Sequence, residues 1–435
     1  MMLFAQISGT LTVNIVIAIL VFILTFTLIT TESLPNSIAA MLGAFILLAG
    51  NILSQEEAIH SIDFDTVGLL CGMMITVAVM RKSGLFEFMA IKGIKLTGGN
   101  PWRILVALSI VTAVLSAFLD NVTTVLVIVP LTFAVADTIK IDPMPVLISE
   151  ILFSNIGGTA TLIGDPPNIM IGTATYLEFM DFVNNNLPVI VIISVVVLLL
   201  LRLIYYKKLT SEKVDKEKIY AFDEKRSIHN KKFFYSALIV FFLVIVAFIT
   251  HHTHKISLGT LAMGGGFIMM MVTRQKPEDV LKEVEWPILF FFLGLFIIIG
   301  GLEKTGVIKL LANKMVEVTQ GKAEPTTQFV LWISAIFSSF IDNIPYTATM
   351  ISVIKESTQT LSGSVTPIWW ALSLGACLGG NGTLIGASAN IVVSGFTQKT
   401  AHPLNFKEFF KVGFPLMIVS VFIASIYLHI RYFLL

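Results

Sequence analysis

The sequence predicts an all-α polytopic membrane protein made of two inverted repeats, and three observations lead there. Hydrophobic residues make up 55% of the 435 and charged residues only 13%, about half the roughly 25% usual in soluble domains. Stretches such as 13–29, 187–203 and 237–249 are long and nearly free of charge, as a helix through hydrocarbon requires. Finally, one pattern occurs twice, 222 positions apart. Asp120-Asn121 in FLDNVTT is matched by Asp342-Asn343 in FIDNIPY, and GTATLIGDPPNI at 158–169 by GNGTLIGASANI at 380–391, identical at seven of twelve positions. The same offset carries Ser83-Gly84 onto Thr305-Gly306, and Ala40, Met41, Gly43 and Phe45 onto Ala262, Met263, Gly265 and Phe267. A duplicated hydrophobic chain with polar clusters at matching places is the pattern of a repeat-built transporter, whose site lies where the repeats meet.

The elements follow in order. Residues 13–31 lack a basic flank and a small-residue cleavage site, so they read as a first span rather than a signal peptide. Spans at 36–53 and 66–80 come next. Residues 84–97 carry Lys92 and Lys95 on a turn-like spacing and read as an amphipathic interfacial helix. The apolar runs 102–118 and 122–136 flank Asp120-Asn121 and form two arms. Residues 146–156 resume at 167–176 after Gly157-Gly158-Thr159-Ala160-Thr161 and Gly164-Asp165-Pro166-Pro167-Asn168. Two prolines remove two amide donors there, so this span is broken. Residues 188–205 close the half. The second half repeats the series at 234–250, 258–273, 288–302, an amphipathic 306–318, 328–340, 345–354, 369–378 resuming near Ala389, and 409–432. Gly379-Gly380-Asn381-Gly382-Thr383 and Gly386 break its sixth element without prolines.

Residues 207–232 between the halves hold nine Lys or Arg and read as a solvated linker, cytoplasmic by the positive-inside rule. If 102–136 were two full spans, each half would cross six times and the halves would be parallel. Arg81, Lys82, Lys92 and Lys95 would then lie outside and the base-free loop 54–63 inside, both against the rule. A re-entrant hairpin at 102–136 gives five crossings per half and inverts the repeats. The four bases then face the cytoplasm, and 54–63, the acidic 178–186 and both termini face outward. Lys304, Lys309, Lys314 and Lys322 fall outside in this topology, interleaved with Glu303, Glu317 and Glu324.

Irregular backbone at membrane depth survives only where it is buried in protein or lines a watery cavity. The broken spans therefore direct half-helix ends into the centre. The hairpin tips add Asp120, Asn121 and Thr123, and Asp342, Asn343 and Thr347. Each Asp can N-cap its return helix, and an ionisable group at membrane depth is also a functional candidate; the two roles are compatible. Pro345 falls in the first turn of its return helix, where proline is tolerated. Asp165 has no acidic counterpart, because Ala387 stands there. It serves one half-site or caps the helix at Pro166. Asn168 and Asn390 match and read as site ligands. Glu150, in an apolar span, reads as a proton relay or as a side chain snorkelling to the interface.

Other chemistry is excluded or weak. Cys71 and Cys377 lie inside spans and are too few for a thiolate cage. No His/Glu metal motif, nucleophile elbow or phosphate loop occurs, which argues against an enzyme. The HHTH run at 251–254 reads as a wet loop. A net charge of +1 gives no footprint for nucleic acid.

FLDNVTTVLVIVP followed by PVLISEILFSNIGGTATLIGDPPNI resembles the ion-transporter superfamily that groups ArsB arsenite pumps, NhaD-type sodium/proton antiporters, the melanosomal P protein and the divalent anion/citrate carriers. The similarity is greatest to the ArsB and P-protein branch and spans essentially the whole chain. It implies a transport domain sliding as an elevator against a scaffold, often in a dimer. The scaffold would be about 11–97 and 234–320 and the transport domain about 100–206 and 326–433, within repeats 1–207 and 233–435 joined by 208–232. The dicarboxylate carriers hold carboxylates with Ser-Asn-Thr triplets; here the tips carry Asp. A carboxylate beside a carboxylate substrate is repulsive unless protonated or cation-paired.

The expected function is proton-coupled antiport exporting arsenite or antimonite, with sodium/proton antiport or anion carriage as alternatives. Contacts to substrate or ion are expected from Asp120, Asn121, Thr123, Thr161, Gly164, Asp165, Asn168, Asp342, Asn343, Thr347, Asn381, Thr383, Gly386 and Asn390. Asp120, Asp342 and Glu150 are the candidate proton carriers. No cofactor is expected beyond protons or sodium as coupling ions. The setting is the plasma (inner) membrane, and analogy with arsenite pumps admits a soluble ATPase partner.

Overall fold

The computed structural model describes residues 2–31, 33–210, 223–228, 230–254, 256–358, 360–398, 400 and 403–434, with side chains left aside before residue 13 and at 210 and 252–254. Most of the basic linker thus lies outside the described residues, and so do the side chains of His252 and His254 in the HHTH run. The first half holds α1 (Met2–Thr30), α2 (Asn36–Ala49), α3 (Gln55–Ser61), α4 (Phe64–Lys82), α5 (Leu85–Leu96), α6 (Pro101–Ser116), α7 (Asn121–Ile139), α8 (Met144–Gly158), α9 (Pro166–Thr175), α10 (Phe179–Asn185) and α11 (Leu187–Thr210). A 3₁₀ turn at Glu224–Ser227 precedes the second half. There follow α12 (Lys231–His254), α13 (Leu258–Thr273), α14 (Pro277–Leu281), α15 (Trp286–Lys304), α16 (Val307–Thr319), α17 (Ala323–Phe340), α18 (Asn343–Ser357), α19 (Thr366–Gly379), α20 (Ser388–Thr397) and α21 (Phe406–His429), the last running into a π turn at Ile430–Leu434.

The 222-residue offset reaches helix boundaries. It carries Phe64 and Lys82 at the ends of α4 onto Trp286 and Lys304 at the ends of α15, and the first residues of α6, α7, α8 and α9 onto those of α17, α18, α19 and α20. The short helices α3, α10 and α14 are additions to the sequence reading. Their caps explain them: Ser54 and Glu57 make a capping box for α3, and Pro277 opens α14.

Packing uses the duplicated small residues. A Cβ on Gly294 of α15 would lie 2.6 Å from the carbonyl carbon of Ala40 on α2. Gly72 of α4 meets Ala262 of α13 in the same way. Both contacts join the same two repeat positions with the halves exchanged. Lipid is as apolar as leucine, so close backbone approach supplies the attraction that hydrophobic burial supplies in water.

Ion pairs fix helix directions. Arg81 at the end of α4 pairs with Glu283 ahead of α15. Lys304 at the end of α15 pairs with Glu57 ahead of α4 at 2.6 Å. Hence α4 and α15 run antiparallel. Lys95 ahead of α6 bonds Glu224 of the linker at 2.5 Å, and Asp142 after α7 bonds Lys208 at 2.6 Å, so α6 and α7 start and finish at one end. Ala323 N–H donates to Ser362 O (3.2 Å) and Ser362 N–H to Gly321 O (2.8 Å), so the chain enters α17 and leaves α18 at one place.

Seven helices among the described residues are long and apolar enough to cross a membrane alone: α1, α4, α7, α11, α12, α15 and α21. Ten crossings were expected. Of the seven, α7 is a hairpin arm, so six are expected crossings; the other four are α2, α13 and the broken spans that open with α8 and α19, helices of 14, 16, 15 and 14 residues, or about 21–24 Å at 1.5 Å per residue. The expected 36–53 span stops at Ala49 because Asn51 turns left-handed, at φ 54°. Helix α8 is buried at every position, the signature of a helix inside protein rather than against lipid.

Candidate functional site

Two tips and two unwound segments meet at the centre. The tip of α6–α7 is 117–120 and that of α17–α18 is 341–342; the unwound segments are 159–165 between α8 and α9 and 380–387 between α19 and α20. Each tip is held to its own unwound segment in the same way. Thr161 Oγ1 donates to Ala117 O, and Thr383 Oγ1 to Ser339 O at 2.5 Å. Ser116 Oγ donates to Ser154 O (2.6 Å) and Ser338 Oγ to Ala376 O (2.5 Å). A Cβ on Gly164 would sit 2.5 Å from Ser116 O, and one on Gly386 2.9 Å from Ser338 O. The two loop glycines therefore admit the tips.

Asn168 and Asn390 seal the loops. Asn168 Nδ2 donates to Thr161 O (2.8 Å) and Thr159 O (3.2 Å), and Asn390 Nδ2 to Gly380 O (2.7 Å) and Thr383 O (2.8 Å). Their amide donors are thus spent on backbone carbonyls. Their oxygens reach the other half: Asn168 Oδ1 accepts from Ser373 Oγ at 2.6 Å, and Asn390 Oδ1 from Asn155 Nδ2 at 3.2 Å. Asn155 also donates to Asn381 Oδ1 (2.9 Å) and accepts from Asn121 Nδ2 (3.1 Å). One buried amide therefore connects the first tip to the second unwound segment.

The carboxylates differ from one another. Asp120 caps α7, accepting from Thr123 N–H at 2.8 Å. Asp342 caps α18 through Ile344 N–H at 3.0 Å and accepts from Ser388 Oγ at 3.2 Å. Asp165 precedes α9 yet makes no side-chain cap. Fully buried, it accepts from Asn343 Nδ2 at 3.3 and 3.5 Å across the repeats. The capping alternative for Asp165 is thereby corrected. So is the snorkelling alternative for Glu150, which is 0% exposed and receives Thr132 Oγ1 at 2.5 Å; its other oxygen has no partner. The hydroxyl of Thr347 is buried and also without a partner.

Several residues here escape sequence reasoning. Asn155 stands where the second repeat has Cys377, so comparing repeats passes over it. Asn186, which donates to Thr159 O (3.0 Å) and Ser373 Oγ (2.8 Å), sits at the edge of a span with no motif around it. Among the described residues no Lys, Arg or His is buried, and no three His, Cys, Asp or Glu are grouped to hold a metal.

The pattern of the CitMHS family, described as citrate transporter, matches residues 26–375. An uncharacterized transporter of Mycobacterium tuberculosis is 38% identical over 97% of this chain and 99% of its own length. The 46 kDa membrane protein of Mycobacterium leprae is 38% identical over 96% and 99%. The human P protein is 32% identical over 97% of this chain, which spans 60% of that longer protein. The crystal structure of the Alcanivorax borkumensis YdaH transporter superposes with a TM-score of 0.60, covering 89% of this chain and 87% of that one at 14% identity, a likeness of fold. The chain is an integral membrane transporter rather than an enzyme by the names of family and relatives, and it belongs to the CitMHS citrate-transporter family of the ion-transporter superfamily.

Proposed function

We propose that this transporter is a proton-coupled antiporter whose cargo is a small uncharged hydroxide, with arsenite or antimonite as the leading candidate. One observation carries the reading: Asp165 meets Asn343, next to Asp342, and Asp120 lines a small gap with Pro166, next to Asp165, at a centre in which no base is buried among the described residues. A free polycarboxylate there would meet three acidic groups and, among the described residues, no buried base, which is repulsive. A neutral hydroxide escapes that penalty, and amides and hydroxyls suffice to hold it. Asp120 and Asp342, and Glu150 behind them, carry the protons. Proton and cargo couple because each changes the other's affinity by the same factor when they compete for one site.

The architecture proposed with it is two inverted repeats, 1–207 and 233–435, around a cytoplasmic linker. The bodies 100–206 and 326–433 slide as an elevator against 11–97 and 234–320. Antiparallel α4 and α15 and hairpins opening from opposite ends support the inversion. The citrate in the family's description favours a second reading, citrate carried with a bound cation that neutralises it.

Expression in an arsenite-sensitive bacterial host tests the proposal. The native chain is expected to restore growth on arsenite, and the Asp120→Asn/Asp342→Asn variant is not. No rescue by the native chain, with cation-dependent citrate uptake instead, would move the protein to the second reading.

A further inference from the structure

We infer that the structure holds the centre accessible from one face only, and that the Arg81–Glu283 ion pair is the latch closing the other face. The inference rests on the inverted-repeat reading and not on the cargo.

Two cavities at equivalent places in the two halves lead toward the site. The larger, about 340 Å³, lies at the Glu57–Lys304 end between α15, α18, α9 and the segment before α4. Tyr176 on its rim is 92% exposed. The cavity descends along α9 and α18 to Met170 and Ala348. Those residues stand four and five positions past the helix starts at Pro166 and Asn343, about 6–8 Å along the axis from where Asp165 meets Asn343. The smaller, about 30 Å³, lies at the Arg81 end, room for about one water.

The two are the same place in the architecture. Seven of the eight residues lining the small cavity are the 222-residue counterparts of residues lining the large one. Met74 answers to Phe296, Arg81 to Glu303, Leu126 to Ala348, and Glu283 to Ser61. Where the halves agree in position they differ in chemistry at the mouth. Glu303 and Ser61 cannot pair as ions. Arg81 and Glu283 do, across the mouth of the closed cavity, and Lys82 Nζ donates to Asp279 O beside them at 3.1 Å. Both latch side chains are about one-third exposed (37% and 31%), so water can reach and release them. A site that faced both ends at once would leak the gradient that drives it; one closed mouth prevents this.

Cysteine labelling with a membrane-impermeant maleimide, applied from each face of oriented vesicles, tests the latch. Cys71 and Cys377 are buried, so the unaltered chain gives the baseline. Ser352→Cys is expected to label from the Glu57–Lys304 face, and Leu126→Cys from neither face. Adding Arg81→Gln or Glu283→Gln should speed Leu126→Cys labelling from the linker face by about tenfold or more. The exchange Arg81→Glu/Glu283→Arg should slow it again, and Ser352→Cys labelling in the same backgrounds reports folding. Leu126→Cys labelling as fast as Ser352→Cys with the latch intact, or staying unlabelled in both neutralised variants, would overturn the latch. Labelling of both cysteines from one face would overturn the inverted-repeat reading, and the latch with it.

Discussion

Asn155 is the residue on which the centre depends most. It bonds Asn121 at the start of α7, Asn381 of the opposite unwound segment and Asn390 of α20 beyond it. Replacing it by leucine strips partners from three buried amides. Each unsatisfied group costs about 1–3 kcal/mol, so Asn155→Leu should lower the thermal unfolding midpoint in detergent by several degrees and abolish transport. Asn155→Asp should retain more stability than the leucine variant, because its oxygens still accept from Asn121. At the periphery, the Lys304 ammonium, followed by the backbone N–H of Ser54, holds the Glu57 carboxyl down at about 2 from its ordinary 4.5. A lowered pKa means the pair's contribution is complete above the unfolded value and fades only as pH falls through about 2. Glu57→Gln should therefore leave the pH profile of transport between 5 and 9 unchanged, measured in vesicles beside the native chain. Asp120 and Asp342 were legible because the repeat printed them twice. Asn155 was not, since its counterpart is a cysteine and a lone asparagine in an apolar run carries no spacing signal.

Broken helices and hairpins were legible as elements, because glycine and proline runs at membrane depth have few other uses. Their bounds were less so. The expected arms 102–118 and 122–136 become α6 and α7 with ends set by Asn100 and Asp120 caps, details that hydrophobicity does not encode. The short α3, α10 and α14 lie in polar segments where caps, not periodicity, decide. Close approach of α8 to α6 and of α19 to α17 depends on Gly157 and Gly379. A Cβ on Gly379 would meet Ala335 O at 2.6 Å and Ala335 Cα at 2.8 Å, backbone atoms that cannot step aside. Gly379→Val should destabilise by about 1–3 kcal/mol through overpacking and, since the helix carries the unwound segment, lower the transport rate more than Gly379→Ala. Unfolding midpoints and initial rates for the pair of variants check this.

At the scale of the whole molecule, the duplication announced itself in the sequence, and charge placement argued for its inversion. The ion pairs add what charge counting could not. They bring Arg81 to Glu283 and Lys304 to Glu57, so that in the proposed topology the positive charge of Lys304 is neutralised at an acidic loop rather than left facing against the positive-inside tendency. Reporter fusions at Asn184 and within 211–222 should therefore lie on opposite faces of the membrane. The proposed chemistry stands on an acidic centre with no buried base among the described residues, which sequence alone indicated only through the Asp residues at the tips. The most direct test is in everted vesicles energised to an acidic interior, following labelled arsenite uptake and lumenal pH together, with Asp120→Asn/Asp342→Asn vesicles alongside. Arsenite accumulation that a protonophore abolishes and the double variant lacks is the predicted result. Absence of arsenite uptake, with alkalinisation on adding sodium that depends on the two aspartates, would contradict it and assign the carboxylates to sodium/proton exchange.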